Sequence, residues 1–287
     1  LAPYAFSSLF TGDESLRKRP MNRVIVPLTQ MGARFSTREG GRLPLTMEGS
    51  DELMPITYEL PVASAQVKSA ILLAGLNTPG TTSVIEKEAT RDHSERMMRF
   101  FGFALESEPH PDGGCTVRIH GQQKQDRKDY HFSVPSDPSS AAFPMVAALL
   151  VPDSHITLTN ICINPLRTGL FDTLKEMGAD IHYKNTRDVA GETIADIEVK
   201  YAPLQGVTVP ASRAPSMIDE YPILAIAAAT AKGRTVMQGL AELRVKESNR
   251  LSAILEGLKA CGVECHEEGD NLIVIGGSPK GGATITT

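Results

Sequence analysis

The chain has 287 residues, of which 41% are hydrophobic and 22% charged, with a formal net charge of −5. That length supports one large domain or two ordinary ones with cores of their own. The acidic balance excludes a general nucleic-acid or membrane-surface binder, and no apolar run reaches membrane-spanning length.

Residues 1–12 read as the end of a buried helix and its strand. The stretch "RPMNRVIVPLTQMGARFS" predicts an outer amphipathic helix started by Pro20, stopped by Gly32 and followed by an alternating strand. Next, "SAQVKSAILLAGLNTPGTTSVIE" predicts a helix apolar on every side, broken at Pro79 and Gly80 before a strand; such a helix must be buried. A second outer helix, "RDHSERMMRFFGFALES", stops at Gly102. The polar run "DYHFSVPSDPSS", residues 129–140, marks a join between two halves, about 1–133 and 134–287. Beyond it, "PSSAAFPMVAALLVPDSHITLTN" gives a second buried helix, and "RTGLFDTLKEMGADIHY" a third outer one stopped by Gly178. The last pair are "IDEYPILAIAAATAKGRTVMQG" and "ESNRLSAILEGLKACGVECHE", the latter stopped by Gly262. The recurring unit is a buried helix, a strand, an outer helix and one or two more strands. A few copies then pack around shared buried helices. The copies are cut at both ends, so the chain reads as an excerpt of a longer protein.

The first turns of the buried helices are polar: Ser64-Ala65-Gln66, Asp137 to Ser140, and Asp219-Glu220. Capping explains each taken singly. Helix N-termini gathered in a cleft would also hold an anion, and Ser64 and Gln66 are neutral donors suited to phosphate oxygens. Cations stand at outer-helix starts: Arg17, Lys18, Arg19 and Arg23, then Arg91, then Lys246 and Arg250 on one helical face with Glu247. The macrodipole disfavours them there, which points to a ligand with two or more negative groups. Such a ligand would bring Asp219 and Glu247 to its reacting atoms as acid and base. No GxSxG, HExxH, GxxxxGK[ST] or GxGxxG pattern offers a rival. Cys115, Cys162, Cys261 and Cys265 are too few for a disulfide framework, and Cys261, Cys265 and His266 fit no standard zinc spacing.

The stretches "PVASAQVKSAILLAGLNTPG", "RDHSE", "DPSSAAFPMVAALLVP", "NPLRTGL", "RAPSMIDEYPILAIAAA" and "ELRVKESNRL" resemble the 5-enolpyruvylshikimate-3-phosphate synthases, nearest to the bacterial branch described as glyphosate-tolerant. The likeness runs over nearly the whole chain in matching order. It implies an α/β (α+β) fold of repeated βαβαββ units in two domains, an inside-out α/β barrel with substrates in the cleft. The implied reaction moves the enolpyruvyl group of phosphoenolpyruvate to the 5-hydroxyl of shikimate-3-phosphate and releases phosphate. Ser64, Ala65 and Gln66 then resemble shikimate-3-phosphate contacts, and Lys246 the lysine on that side. Asp219 resembles the acid/base at the reacting hydroxyl, and Glu247 the acid that protonates the methylene carbon. Arg23 and Arg250 resemble the grips on phosphoenolpyruvate, with Arg91 a further phosphate contact. The resemblance implies a cytoplasmic monomer with no metal or organic cofactor, and no nucleic-acid or membrane partner.

Asn249 stands where the family has Asp in "KESDR", and three further family motifs have no counterpart here. An excerpt with part of an active site is expected to be inactive alone. The alternatives are the sister transferase acting on UDP-N-acetylglucosamine and a non-catalytic anion-binding repeat protein.

Overall fold

The computed structural model describes residues 1–124, 129–245 and 248–284. The chain divides into two compact units, Leu1–Tyr130 and His131–Thr287. Unit 1 begins with β1 (Ser7–Phe10), the short α1 (Glu14–Lys18), α2 (Asn22–Met31), β2 (Arg34–Arg38) and β3 (Arg42–Glu48). These strands form an antiparallel sheet in the order β1-β3-β2. Then come β4 (Thr57–Glu59), α3 (Ala65–Gly75), β5 (Thr81–Glu86), α4 (His93–Phe100), β6 (Leu105–Pro109) and β7 (Cys115–His120). This is a complete βαβαββ copy, with sheet order β4-β5-β7-β6, the first pair parallel and the others antiparallel. Val67, Ile71 and Leu72 of α3 are buried in one cluster with Val84, Met98, Val117 and Ile119.

Unit 2 repeats the design. It holds α5 (Pro138–Leu150), β8 (His155–Cys162), α6 (Gly169–Glu176), β9 (Asp180–Val189) and β10 (Glu192–Lys200), with sheet order β8-β10-β9. Ser136 makes a single parallel bridge to Ile161 where the first strand of a copy would lie. A second complete copy follows: β11 (Thr208–Val209), α7 (Tyr221–Thr230), β12 (Arg234–Met237), α8 (Arg250–Ala260), β13 (Glu264–Glu268) and β14 (Asn271–Ile275). Its sheet order, β11-β12-β14-β13, again has one parallel pair and two antiparallel pairs.

The two complete copies close in the same way. Gly121 N–H donates to the Gly80 carbonyl at 2.9 Å, and Gly276 N–H to the Gly233 carbonyl at 2.9 Å. A Cβ on Gly121 would lie 1.6 Å from the Thr78 carbonyl oxygen, and one on Gly276 1.8 Å from that of Ala231. Only glycine fits either place.

The expected outer-helix stops are present: Gly32, Gly102, Gly178 and Gly262 all have positive φ, from 72° to 117°. Three details differ from expectation. Residues 1–6 form turns and bends rather than a helix end. Pro20 does not start α2; it bridges to Arg42, and Met21 N–H donates to the Gly41 carbonyl, so the chain stays on the β2–β3 turn until Asn22. The helices expected to be buried on every side, α3, α5 and α7, each leave a large apolar side chain exposed, Leu73, Phe143 and Ile226, and α5 exposes Pro144 and Ala147 beside Phe143. Each is packed over most of its circumference rather than all of it. Among the described residues no helix is long and apolar enough to cross a membrane.

Candidate active site

In unit 1 the mouth of α3 is built from an extended Ser64, whose hydroxyl caps the helix by accepting from Val67 N–H at 3.4 Å. Ala65 is the first helical residue, so its N–H has no partner within the helix. Gln66 points outward, and its Oε1 accepts from Arg23 Nη2 at 3.1 Å. Arg23 lies in the first turn of α2, where the macrodipole works against a cation. Arg91 is half-buried in the link between β5 and α4. The structure thus brings Arg23 to Gln66. Arg17 and Lys18 lie in the last turn of α1, where the dipole favours them, so the reasoning from disfavoured cations does not extend to them.

Beneath that mouth is a charged cluster that the sequence reading missed. Lys68 Nζ meets Glu86 Oε2 at 2.9 Å and Glu95 Oε1 at 2.6 Å, with all three side chains at most 2% exposed. Lys68 also donates to the Thr90 carbonyl at 3.4 Å, and the Thr90 amide and hydroxyl both donate to Glu86 Oε1. Thr90 immediately precedes Arg91. The Ser69 and Ser94 hydroxyls, 2.6 Å apart, tie α3 to α4 as well. Burial pushes the Lys68 pKa down, but the two carboxylates outweigh it and the net shift is upward. For Glu95, burial wins over Lys68 and raises the carboxyl. The available signal was a lysine inside an apolar helix, since a buried ammonium requires charged partners.

In unit 2, Asp137 caps α5 by accepting from Ser139 N–H at 3.2 Å and Ser140 N–H at 3.0 Å. Burial alone would raise its carboxyl; the bonds from Ser140 and Ser139 and the nearby Arg167 together lower it. The mouth of α7 is different. Its N-cap is Glu220, whose side chain makes no capping bond and is buried. Glu220 Oε1 takes a short hydrogen bond from the Ser139 hydroxyl. Asp219, half-buried, accepts from Arg250 Nη1 at 3.2 Å. Arg250 is the first residue of α8, and Asn249 caps that helix by accepting from Ser252 N–H at 3.2 Å. Asn249 therefore serves as the helix cap. Residues 248 and 249 precede the helix, and Lys246 and Glu247, expected to share a helical face with Arg250, lie outside the described residues. Burial pushes the phenol of the fully enclosed Tyr221 up to about 12, against a smaller opposing effect of Arg213.

Capping thus accounts for two of the three polar first turns. At the third, an acid and an arginine face each other across two helix mouths, Asp219 before α7 and Arg250 opening α8. A carboxylate beside a guanidinium can take a proton from a hydroxyl while the cation steadies a neighbouring anion. Elsewhere, Cys265 Sγ donates to the Leu255 carbonyl and His266 pairs with Glu268, so these two side chains do not converge.

A model of the family described as EPSP synthase (3-phosphoshikimate 1-carboxyvinyltransferase) matches residues 1–287. A 3-phosphoshikimate 1-carboxyvinyltransferase of Paramagnetospirillum magneticum is 60% identical over 289 residues, covering 100% of this chain and 64% of that protein. Its counterpart in Rhodospirillum rubrum is 57% identical over 287 residues, covering 99% and 63%. The solved EPSP synthase from Acinetobacter baumannii superposes with a TM-score of 0.82 at 46% identity, covering 96% of this chain and 61% of that one. The enolpyruvyl transferase NikO from Streptomyces tendae shares the fold, with a TM-score of 0.69 at 18% identity. The chain therefore spans somewhat less than two thirds of the length of these relatives.

Proposed function

The chain belongs to the EPSP synthase (3-phosphoshikimate 1-carboxyvinyltransferase) family, and from that premise we propose that the protein transfers the enolpyruvyl group of phosphoenolpyruvate to the 5-hydroxyl of shikimate-3-phosphate. The observation that carries this reading is the 60% identity to such an enzyme across the whole of this chain. The geometry is compatible with it. The hydroxyl oxygen bonds to C2 of phosphoenolpyruvate while a proton joins its methylene carbon. Loss of phosphate and of one methyl proton then restores the double bond on the product. In this reading Asp219 accepts the hydroxyl proton and Glu247 supplies the proton to carbon, each as an acid/base of the usual kind. Arg250, beside Asp219, and Arg23 hold phosphoenolpyruvate, and Arg91 holds phosphate. Ser64, Ala65, Gln66 and Lys246 hold shikimate-3-phosphate. Residues 1–133 belong to one domain and 134–287 to the other, and the protein works as a cytoplasmic monomer without a cofactor.

The test is release of inorganic phosphate by the full-length protein given phosphoenolpyruvate and shikimate-3-phosphate. Turnover is expected with this pair and not when UDP-N-acetylglucosamine replaces shikimate-3-phosphate. Turnover with the nucleotide sugar alone would assign the sister reaction, and turnover with neither would remove the enzymatic reading.

A further inference from the structure

The buried carboxylate next to Asp219 has no part in the chemistry above, yet the structure takes care to hold it. Arg167 Nη2 donates to Asp137 Oδ1 at 3.0 Å and to the Ser139 hydroxyl oxygen at 2.7 Å. A guanidinium can only donate, so Ser139 Oγ is an acceptor from Arg167, and its single hydrogen is left for Glu220 Oε1. The polarity of the chain from Arg167 through Ser139 to Glu220 is thereby set, and Glu220 is its acceptor end. The three residues come from different elements: Ser139 from the first turn of α5, Arg167 from the 3₁₀ turn Pro165–Arg167, Glu220 from the cap of α7. Glu220 is 3% exposed. A buried carboxylate that left such partners would be an uncompensated charge in the core, so its orientation is held strongly.

Residues next to each other at a helix start point in different directions. With Glu220 directed inward to Ser139, Asp219 is directed toward Arg250, 3.2 Å away. We propose that the Arg167–Ser139–Glu220 chain is a positioning device for Asp219, with Glu220 as the positioning residue. This rests on the role given to Asp219 above. A purely packing account competes with it, because Met217, Ile218 and Tyr221 are also buried around this turn.

Ser139→Ala separates the two, since it removes one hydroxyl and leaves the apolar packing in place. In the full-length protein, Ser139→Ala is expected to lower kcat for phosphate release about 10- to 100-fold, the scale of a small misplacement of a reacting group. Both KM values should stay near those of the unaltered protein, while the thermal midpoint falls because the buried carboxylate loses a donor. Ser139→Thr, which keeps the hydroxyl, should restore kcat, and Glu220→Gln should lower it as Ser139→Ala does. Unchanged kcat in Ser139→Ala overturns the proposal. So does a loss of stability and of both affinities that Ser139→Thr fails to restore. Crystal structures of the same variants decide the matter even if the reaction assigned above is wrong. Asp219 turned away from Arg250 in Ser139→Ala supports the device, and an unmoved pair refutes it.

Discussion

At the mouth of α3 a neutral serine caps the helix, and the charges Lys68, Glu86 and Glu95 lie a turn further in, fully buried. At the mouth of α7 no N-cap side chain caps the helix, and Asp219 and Glu220 stand just ahead of the first turn, Asp219 against Arg250 from the start of α8. Both helices are apolar, and each is the first helix of a complete copy of the same repeat. The difference lies in what the charges face. In unit 1 they neutralise one another in the core and leave neutral donors at the mouth. In unit 2 one carboxylate is turned inward and the other is presented to an arginine at the half-buried surface. Changes to the first set should therefore appear as lost stability, and changes to the second as lost chemistry.

The largest effect expected in unit 1 comes from Lys68→Met, which leaves two buried carboxylates without their cation. Urea unfolding should show a loss of about 3–5 kcal/mol; a loss below about 1 kcal/mol would mean the cluster is not what holds α3 to α4. The same cluster gives a pH signature. The Glu95 pKa is raised above its ordinary 4.5 by burial, so its contribution to stability is full below 4.5 and is lost as pH rises through the raised value. Glu95→Gln should flatten that fall, and an unaltered pH profile would contradict the assignment.

In unit 2, Arg250→Ala should weaken phosphoenolpyruvate binding by about 1.5–3 kcal/mol, the range for a charge-assisted hydrogen bond. Shikimate-3-phosphate binding should change much less; calorimetric titration of each ligand separately is the check, and equal losses would erase the contrast. Gly121→Ala and Gly276→Ala test what the two units share. Each forces a Cβ onto a backbone carbonyl, and each should cost about 1–3 kcal/mol or more. A tolerated alanine in only one unit would mean the two copies are not closed alike. The smallest effect belongs to Ser64→Ala, about 1 kcal/mol of stability for a lost cap, with a mild weakening of shikimate-3-phosphate.

The repeat was legible in the sequence because its signals are local. Apolar periodicity, a glycine stop and an alternating strand each occupy a short window, and all four outer-helix glycines have the expected backbone. Asp219 and Arg250 could be singled out as candidates for the same reason, each standing at a recognisable helix start. The buried networks were not legible. Lys68 finds Glu86 and Glu95 on β5 and α4, and Ser139 finds Glu220 81 residues away. No window of sequence contains such a pair, and only the packing of α5 against α7 makes the second one. The start of α2 was misplaced for a related reason. Pro20 has the chemistry of a first helical residue, but a bond from Met21 to Gly41 on the β2–β3 turn holds the chain back.

The most direct measurement is steady-state phosphate release by Asp219→Asn in the full-length protein, with the unfolding midpoint read on the same sample. The variant keeps the size of the side chain and removes its charge. The account predicts a kcat lower by about 10²–10⁴-fold, with the midpoint and both substrate affinities little changed. Near-normal turnover, or a loss of activity that only follows a loss of fold, would contradict it.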